Sequence, residues 1–232
     1  MEVAFTGEFF VPGQSPQRIE DDHIERYKFA SRHVTGKAVL DIACGLGYGV
    51  KLLADAGAKK ATGVDILATN VAYANEQYAG KRTSFLQGDI TAFDSGGPYD
   101  VITCFETIEH VDDYIGALRN LKSLLHPGGK LLISSPNRPI TSPETKRLED
   151  KPDNEFHVRE FTISELANAL QEAGFETDSA EVYGQRPQLH FACKRIRKFY
   201  TSRWKPHEKA SPLVAPLGKL TPRYFLIMVT RK

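Results

Sequence analysis

From Lys37 to Leu132 the chain alternates short aliphatic or β-branched runs with stretches of helical periodicity. That alternation admits few folds. A half-polar strand of an antiparallel sheet reads apolar and polar in turn, whereas these runs are apolar almost throughout, as strands covered on both faces must be. The runs are Ala38–Ile42, Ala61–Asp65, a third beginning near Phe85, Tyr99–Cys104 and Lys130–Ser134. Helical patterns lie between them at Gly47–Ala56, Ala68–Tyr78 and Asp112–Leu125, and His126-Pro127-Gly128-Gly129 reads as a turn. Strand, helix and strand in regular succession specify a parallel sheet with helices on both faces. We therefore expect an α/β fold, a doubly wound and mostly parallel seven-stranded sheet.

The sequence beyond Pro136 completes the count. A polar, proline-containing stretch at Asn137–Asn154 reads as a loop over the site. Thr162–Ala173 then carries a capping box, with Thr162 as N-cap, Glu165 three residues on and Gly174 as the stop. Phe175–Tyr183 and Arg223–Thr230 are the last two strands. Between them lies a basic, aromatic insertion, residues 185–222, with a helix expected at Leu189–Tyr200. The whole reads as one domain: an N-terminal helical lid over 1–36, a core over 37–184, the insertion, and a last strand over 223–232.

Composition excludes some classes. No apolar run is long enough to span a bilayer as a helix. Glu2 and Glu8 stand where a secretory signal would be basic and then apolar, so a cytoplasmic location is the default expectation. Cys44, Cys104 and Cys193 are odd in number and widely spaced, which implies neither a disulfide framework nor a zinc knuckle. The net charge of +1 hides an asymmetry: from Arg186 onward twelve Lys and Arg face one acid, Glu208, giving +11 there and −10 elsewhere. Either an anionic partner or a solvated basic surface on an acidic body accounts for it. Lys194, Arg195, Arg197, Lys198, Tyr200, Arg203, Trp204 and Lys205 interleave cations with aromatics. That mixture suits a phosphorylated or nucleotide-linked acceptor, RNA or an anionic membrane surface, or else a solvated helix with an anchoring tryptophan.

The first strand ends in Asp41-Ile42-Ala43-Cys44-Gly45-Leu46-Gly47-Tyr48-Gly49. Glycines after a first strand let the backbone turn tightly and a ligand approach closely, but dinucleotide-binding sheets use the same device. Two acids separate the cases. Asp41 precedes the glycines, where it suits an ammonium and would repel a pyrophosphate. Asp65 ends the second strand, placed to accept from both hydroxyls of a ribose. Asp89, in Gly88-Asp89-Ile90, puts a third carboxylate at the next strand end, with an apolar neighbour for a ring face.

Taken in order, Val39–Gly49, Gly63-Val64-Asp65-Ile66, Gly88-Asp89-Ile90, Tyr99–Ile102 and Leu124–Ser134 resemble the motifs of the class I S-adenosylmethionine-dependent methyltransferase family. The resemblance implies S-adenosylmethionine as cofactor, with the Gly45/Gly47 turn under its methionine part, Asp65 on its ribose and Asp89 and Ile90 at its adenine. Ala43, Ile66 and Phe105 complete the expected cofactor contacts.

Glu106-Thr107-Ile108-Glu109-His110 follows the fourth strand, and a spacing of i, i+3 and i+4 would set Glu106, Glu109 and His110 on one side of a helical turn. Two carboxylates and an imidazole so placed suit a divalent cation, with His157 as a fourth donor. The stretch resembles the metal-assisted O-methyltransferases of ubiquinone biosynthesis and the small-RNA terminal 2′-O-methyltransferases. That resemblance implies Glu106, Glu109, His110 and His157 as ligands of Mg2+ or a similar ion. Without metal, His110, Glu106 or His157 acts as base or orients the acceptor, and Glu109 caps the following helix. The aromatic segments Gly7–Pro12 and His23–Tyr27 either form a lid excluding water or pack a helix on the sheet. These observations lead to O-methylation of a small acceptor such as a sugar, phenol or natural product. RNA 2′-O-methylation, N-methylation of a nucleotide-linked sugar and a non-catalytic cofactor-binding module are the alternatives.

Overall fold

We describe the protein from a computed structural model, which describes residues 11, 14–191, 193–203 and 210–232. Phe9, Phe10, Pro12, Trp204 and Lys205, on which part of the lid and insertion readings rest, lie outside the described residues.

Seven strands form one sheet: β1 (Ala38–Ile42), β2 (Lys60–Asp65), β3 (Thr83–Gln87), β4 (Tyr99–Phe105), β5 (Leu125–Pro136), β6 (Glu176–Gln188) and β7 (Thr221–Thr230). Their order is β3-β2-β1-β4-β5-β7-β6. β7 runs antiparallel to both neighbours and the remaining pairs are parallel. The order reverses direction between β1 and β4, so the carboxyl ends of these strands open a crevice that the crossover connections leave on opposite sides.

Alternation along each central strand divides the apolar core into two layers. Leu40 and Ile42 of β1, Ile102 and Cys104 of β4, Leu131 and Ile133 of β5 and Phe225, Ile227 and Val229 of β7 face one helix layer. Val39, Val101, Phe105, Leu132, Leu226 and Met228 face the other. The first layer holds α4 (Tyr114–Leu124) and α6 (Ile163–Glu172), and the second holds α1 (Gln17–Ala30), α2 (Tyr48–Asp55) and α3 (Ala68–Tyr78). Burial on both faces is what makes the strands read as unbroken apolar runs.

The structure revises several boundaries. β5 takes in the expected turn at His126–Gly129, because Gly128 N–H donates to the Arg231 carbonyl at 2.7 Å and Arg231 N–H to that of Gly129 at 2.9 Å. β6 continues to Gln188, so the insertion begins four residues later than expected. Its helix, α7, spans Lys194–Arg203 and not Leu189–Tyr200, and the expected loop after Pro136 contains a single turn, α5 (Arg138–Thr141). The capping box of α6 is present as read: Thr162 Oγ1 accepts from Glu165 N–H at 3.2 Å while Glu165 Oε2 accepts from Thr162 N–H at 2.7 Å.

α1 packs on the sheet. Tyr27 is buried with its ring edge-on to both Tyr48 and Phe105. Gly49 makes room for it, since a Cβ there would fall 2.1 Å from the Tyr27 ring. Among the described residues no helix is long and apolar enough to cross a membrane.

Candidate active site

A cleft of about 480 Å³ lies at the crevice, lined by Ile42, Ala43, Ile66, Asp89, Ile90 and His110 among others. It thus spans the carboxyl ends of β1, β2 and β4 and the segment after β3. Ala43 adopts a left-handed φ of 57°, as do Gly45 and Gly47 at 54° and 84°. At Gly47, the N-cap of α2, a Cβ would come within 2.6 Å of Ala74 Cβ and 2.7 Å of Phe85 Cε1. The turn therefore needs glycine both for its dihedral and for contact with α3 and β3.

The three strand-end acids occupy different settings. Asp65 is buried; its Oδ2 accepts from Gly45 N–H at 2.8 Å and its Oδ1 from Leu67 N–H at 3.0 Å and Asn70 Nδ2 at 3.1 Å. Burial raises its pKa against the pull of those bonds. Asp89 is exposed, and the Thr91 N–H and hydroxyl that donate to its Oδ1 hold its pKa low. Ile66, 61% exposed beside the cleft, offers an apolar face with nothing of the protein packed over most of it.

Asp41 shares with Asp65 a place behind the cleft wall. It is absent from the cleft lining and 2% exposed, with Oδ1 accepting from Thr103 Oγ1 at 2.6 Å and Oδ2 from Tyr27 Oη at 2.9 Å. Burial pushes its pKa up to about 7, although both hydroxyls favour the ionised form. It ties β1 to β4 and α1 beneath the glycine turn. Phe105 is likewise buried, against Tyr27, and is not part of the cleft lining.

The Glu106–His110 stretch is not a continuous helical turn. Glu106 has a left-handed φ of 50°, and only Ile108–His110 forms a 3-10 turn. Glu106 stands beside the other three without joining their converging donor atoms. Its Oε1 accepts from Ser134 Oγ at 2.7 Å and lies 3.5 Å from Arg26 Nη2. Glu109, His110 and His157 do converge, each offering a donor atom within 4.8 Å of the others. Glu109 does not cap α4; Asp113 does, its carboxylate accepting from Gly116 N–H at 2.8 Å.

Hydrogen-bond partners fix a proton on Nδ1 of both imidazoles. His110 Nδ1 lies 2.9 Å from the Phe156 carbonyl oxygen, which can only accept, so Nδ1 carries a proton and proton exchange falls to Nε2. His157 Nδ1 lies 2.8 Å from Glu160 Oε1, and its Nε2 lies 2.9 Å from Asn154 Nδ2, which can only donate. His157 is therefore an Nε2 acceptor. Glu109 is fully buried; Ser135 Oγ donates to Oε2 at 3.2 Å, and among the described residues Oε1 has no hydrogen-bond partner. Burial first, and the Glu106 charge second, raise its pKa well above the usual carboxylate range.

Sequence reasoning passed over Glu160 and Arg26 as site residues. Glu160 was legible as an acid at i+3 from His157. Arg26 carried no such signal, because its approach to Glu106 depends on how α1 lies across the sheet. It is 2% exposed, its guanidinium stacks 5.0 Å from the Tyr224 ring centroid, and among the described residues its Nε and Nη1 have no hydrogen-bond partner.

Residues 17–180 match the model of the methyltransferase domain family, more than half of the chain. The chain belongs to the S-adenosylmethionine-dependent methyltransferases. A probable S-adenosylmethionine-dependent methyltransferase of Mycolicibacterium smegmatis is 33% identical over 178 residues, 76% of this methyltransferase and 66% of that protein. The ubiquinone biosynthesis O-methyltransferase of Vibrio parahaemolyticus is 37% identical over 111 residues, 46% of this chain and 47% of its own. The methyltransferase thus spans two thirds or less of the length of these relatives. Among solved structures, an S-adenosylmethionine-dependent methyltransferase of Thermotoga maritima, described as a possible histamine N-methyltransferase, superposes with a TM-score of 0.64 at 18% identity, covering 92% of this chain and 91% of that one. That likeness shows the shared Rossmann-like fold.

S-Adenosylmethionine is the cofactor of this family, and the residues present fit it. A Cβ at Gly45 would project into open space, so the turn leaves room above it for a ligand. Asp65, behind the cleft wall, and Asp89, on it, stand at neighbouring strand ends beside apolar Ile66 and Ile90. The unmet guanidinium donors of Arg26 suit an anionic group.

Proposed function

We propose that this methyltransferase methylates a hydroxyl of a small acceptor, with His110 taking the proton. Bound in the cleft, S-adenosylmethionine supplies a methyl group on a sulfonium, already an excellent leaving group. The protein's task is alignment and proton removal. Asp65 holds the ribose hydroxyls, Asp89 the adenine amino group, and Ile66 and Ile90 the ring faces. The acceptor oxygen forms the new C–O bond as the C–S bond breaks, its electron pair staying on sulfur as a thioether. The hydroxyl proton passes to His110 Nε2, and the Phe156 carbonyl, accepting from Nδ1–H, steadies the imidazolium. The observation that carries this reading is the protonated Nδ1 of His110 on the cleft wall, which leaves proton exchange to Nε2.

A second reading is favoured by the orphaned Glu109 Oε1. A buried carboxylate oxygen without a donor among the described residues, near His110 Nε2 and His157 Nε2, suits a divalent cation held by Glu109, His110 and His157, with the cation taking the place of the Asn154 bond to His157. Such an ion would lower the pKa of the acceptor hydroxyl, so that its proton is lost to solvent water and the alkoxide or phenolate is the nucleophile. Glu106, paired with Ser134 and Arg26, stands beside that set and orients the acceptor. A labelled-methyl assay over a panel of phenols, sugars and amines, with and without chelator, tests both. Transfer to hydroxyls that survives thorough chelation and falls at least a hundredfold in His110→Ala supports the base. Loss on chelation, restored by Mg2+ or Mn2+, supports the cation. Transfer confined to amines contradicts both.

A further inference from the structure

The helix α7 has no acid in it, and its outward face combines charge with apolar bulk. Lys194, Arg195, Ile196, Lys198 and Phe199 are exposed, whereas Arg197 and Tyr200 are half-buried. The inner side fastens the helix to the body. Arg197 pairs with Glu144 and donates to the Phe191 carbonyl at 3.4 Å, and the Tyr200 ring lies 5.1 Å from that of Phe191. At 100° per residue Phe199 and Ile196 lie about 60° apart along one flank, Ile196 next to the inner Tyr200, while Arg195 and Lys198 point outward and Lys194, 3.9 Å from Glu144, lies beyond them. Ile196 is 51% and Phe199 61% exposed.

Topology sets where this face lies. β5 and β6 are both antiparallel to β7, so they run in the same direction. The carboxyl end of β6, and α7 beyond it, therefore stand at the sheet edge that carries the cleft. A pocket of about 210 Å³, lined by Ile140, Gln188, Phe191, Arg197, Tyr200 and Arg223, lies beside the helix.

We propose that α7 docks the protein on an anionic lipid bilayer through its Ile196 and Phe199 edge, setting the catalytic rim against the membrane surface. In an interfacial helix, large apolar side chains enter the acyl boundary while flanking cations reach the headgroup phosphates. Both requirements meet on this face. On α7 itself the exposed Arg195 and Lys198, with Lys194 beside them and no acid in the helix, give this face the sign that an anionic headgroup layer attracts. RNA would engage the cations and leave Ile196 without a role.

Sedimentation of the full chain with vesicles tests the proposal. We expect binding to phosphatidylcholine vesicles containing phosphatidylglycerol, weakening as salt rises, and little to phosphatidylcholine alone. Ile196→Ser with Phe199→Ser should weaken it at least tenfold, and Lys194→Glu with Lys198→Glu by a similar factor, since each cation contributes about fivefold at an anionic surface. A polarity-sensitive fluorophore on Cys193, exposed while Cys44 and Cys104 are buried, should shift to the blue on adding anionic vesicles, a readout that needs no variant. Equal binding to neutral vesicles, indifference to the paired serine substitutions, or capture of single-stranded RNA without any vesicle binding would overturn the proposal.

Discussion

Replacing Asp41 by Asn should change how stability depends on pH. In the fold this carboxyl ionises near pH 7, against 3.8 for an ordinary aspartate, because it is buried between β1, β4 and α1. Between those values the folded state holds a proton that the unfolded chain releases, so stability falls as pH rises through the window and levels off above it. About three pH units at about 1.4 kcal/mol each place the ceiling near 4 kcal/mol, reached by pH 8. Asn carries no such titration. It keeps one acceptor oxygen and turns the other position into a donor, so one of the two hydroxyl bonds must be rebuilt with the hydroxyl accepting. That costs about 1 kcal/mol at every pH. Asp41→Asn should therefore match wild type near pH 4.5 and exceed it by about 3 kcal/mol at pH 8, the gap opening as pH rises. Urea unfolding of both proteins from pH 4.5 to 8 measures it. A constant difference across that range would refute the reasoning, and would mean that the Asp41 carboxylate is ionised throughout.

Two substitutions test the packing that positions the cleft. Gly49→Ala sets a methyl group against the Tyr27 ring and should cost about 1 to 3 kcal/mol in urea unfolding, with loss of the contact that brings Tyr27 Oη to Asp41. Thr162→Ala removes the N-cap of α6 and should cost about 1 kcal/mol by the same measurement, with no effect on cofactor affinity because α6 lies on the far layer from the glycine turn.

The sheet was legible because each central strand is apolar on both faces, and Gly45, Asp65 and Asp89 mark three neighbouring strand ends whatever lies elsewhere in the chain. Boundaries set by distant partners were not legible: β5 absorbs a Pro-Gly-Gly turn because residues at the other end of the chain bond to it. The spacing of Glu106, Glu109 and His110 suggested one helical face. The backbone instead breaks with a left-handed residue at Glu106, whose carboxylate Ser134 and Arg26 engage. Asp41 read as a ligand of the cofactor because its place before the glycines suits an ammonium. What that reading could not include is Tyr27, brought over the same carboxylate by α1.

The account rests on a donor molecule held at the edge where β1 and β4 part. Calorimetric titration with S-adenosylhomocysteine tests this most directly. One site per chain is predicted, with affinity at least tenfold weaker in Asp65→Ala, about 1.4 kcal/mol, and unchanged in Thr162→Ala. No binding by the folded wild-type chain, or equal affinity in Asp65→Ala, would contradict it.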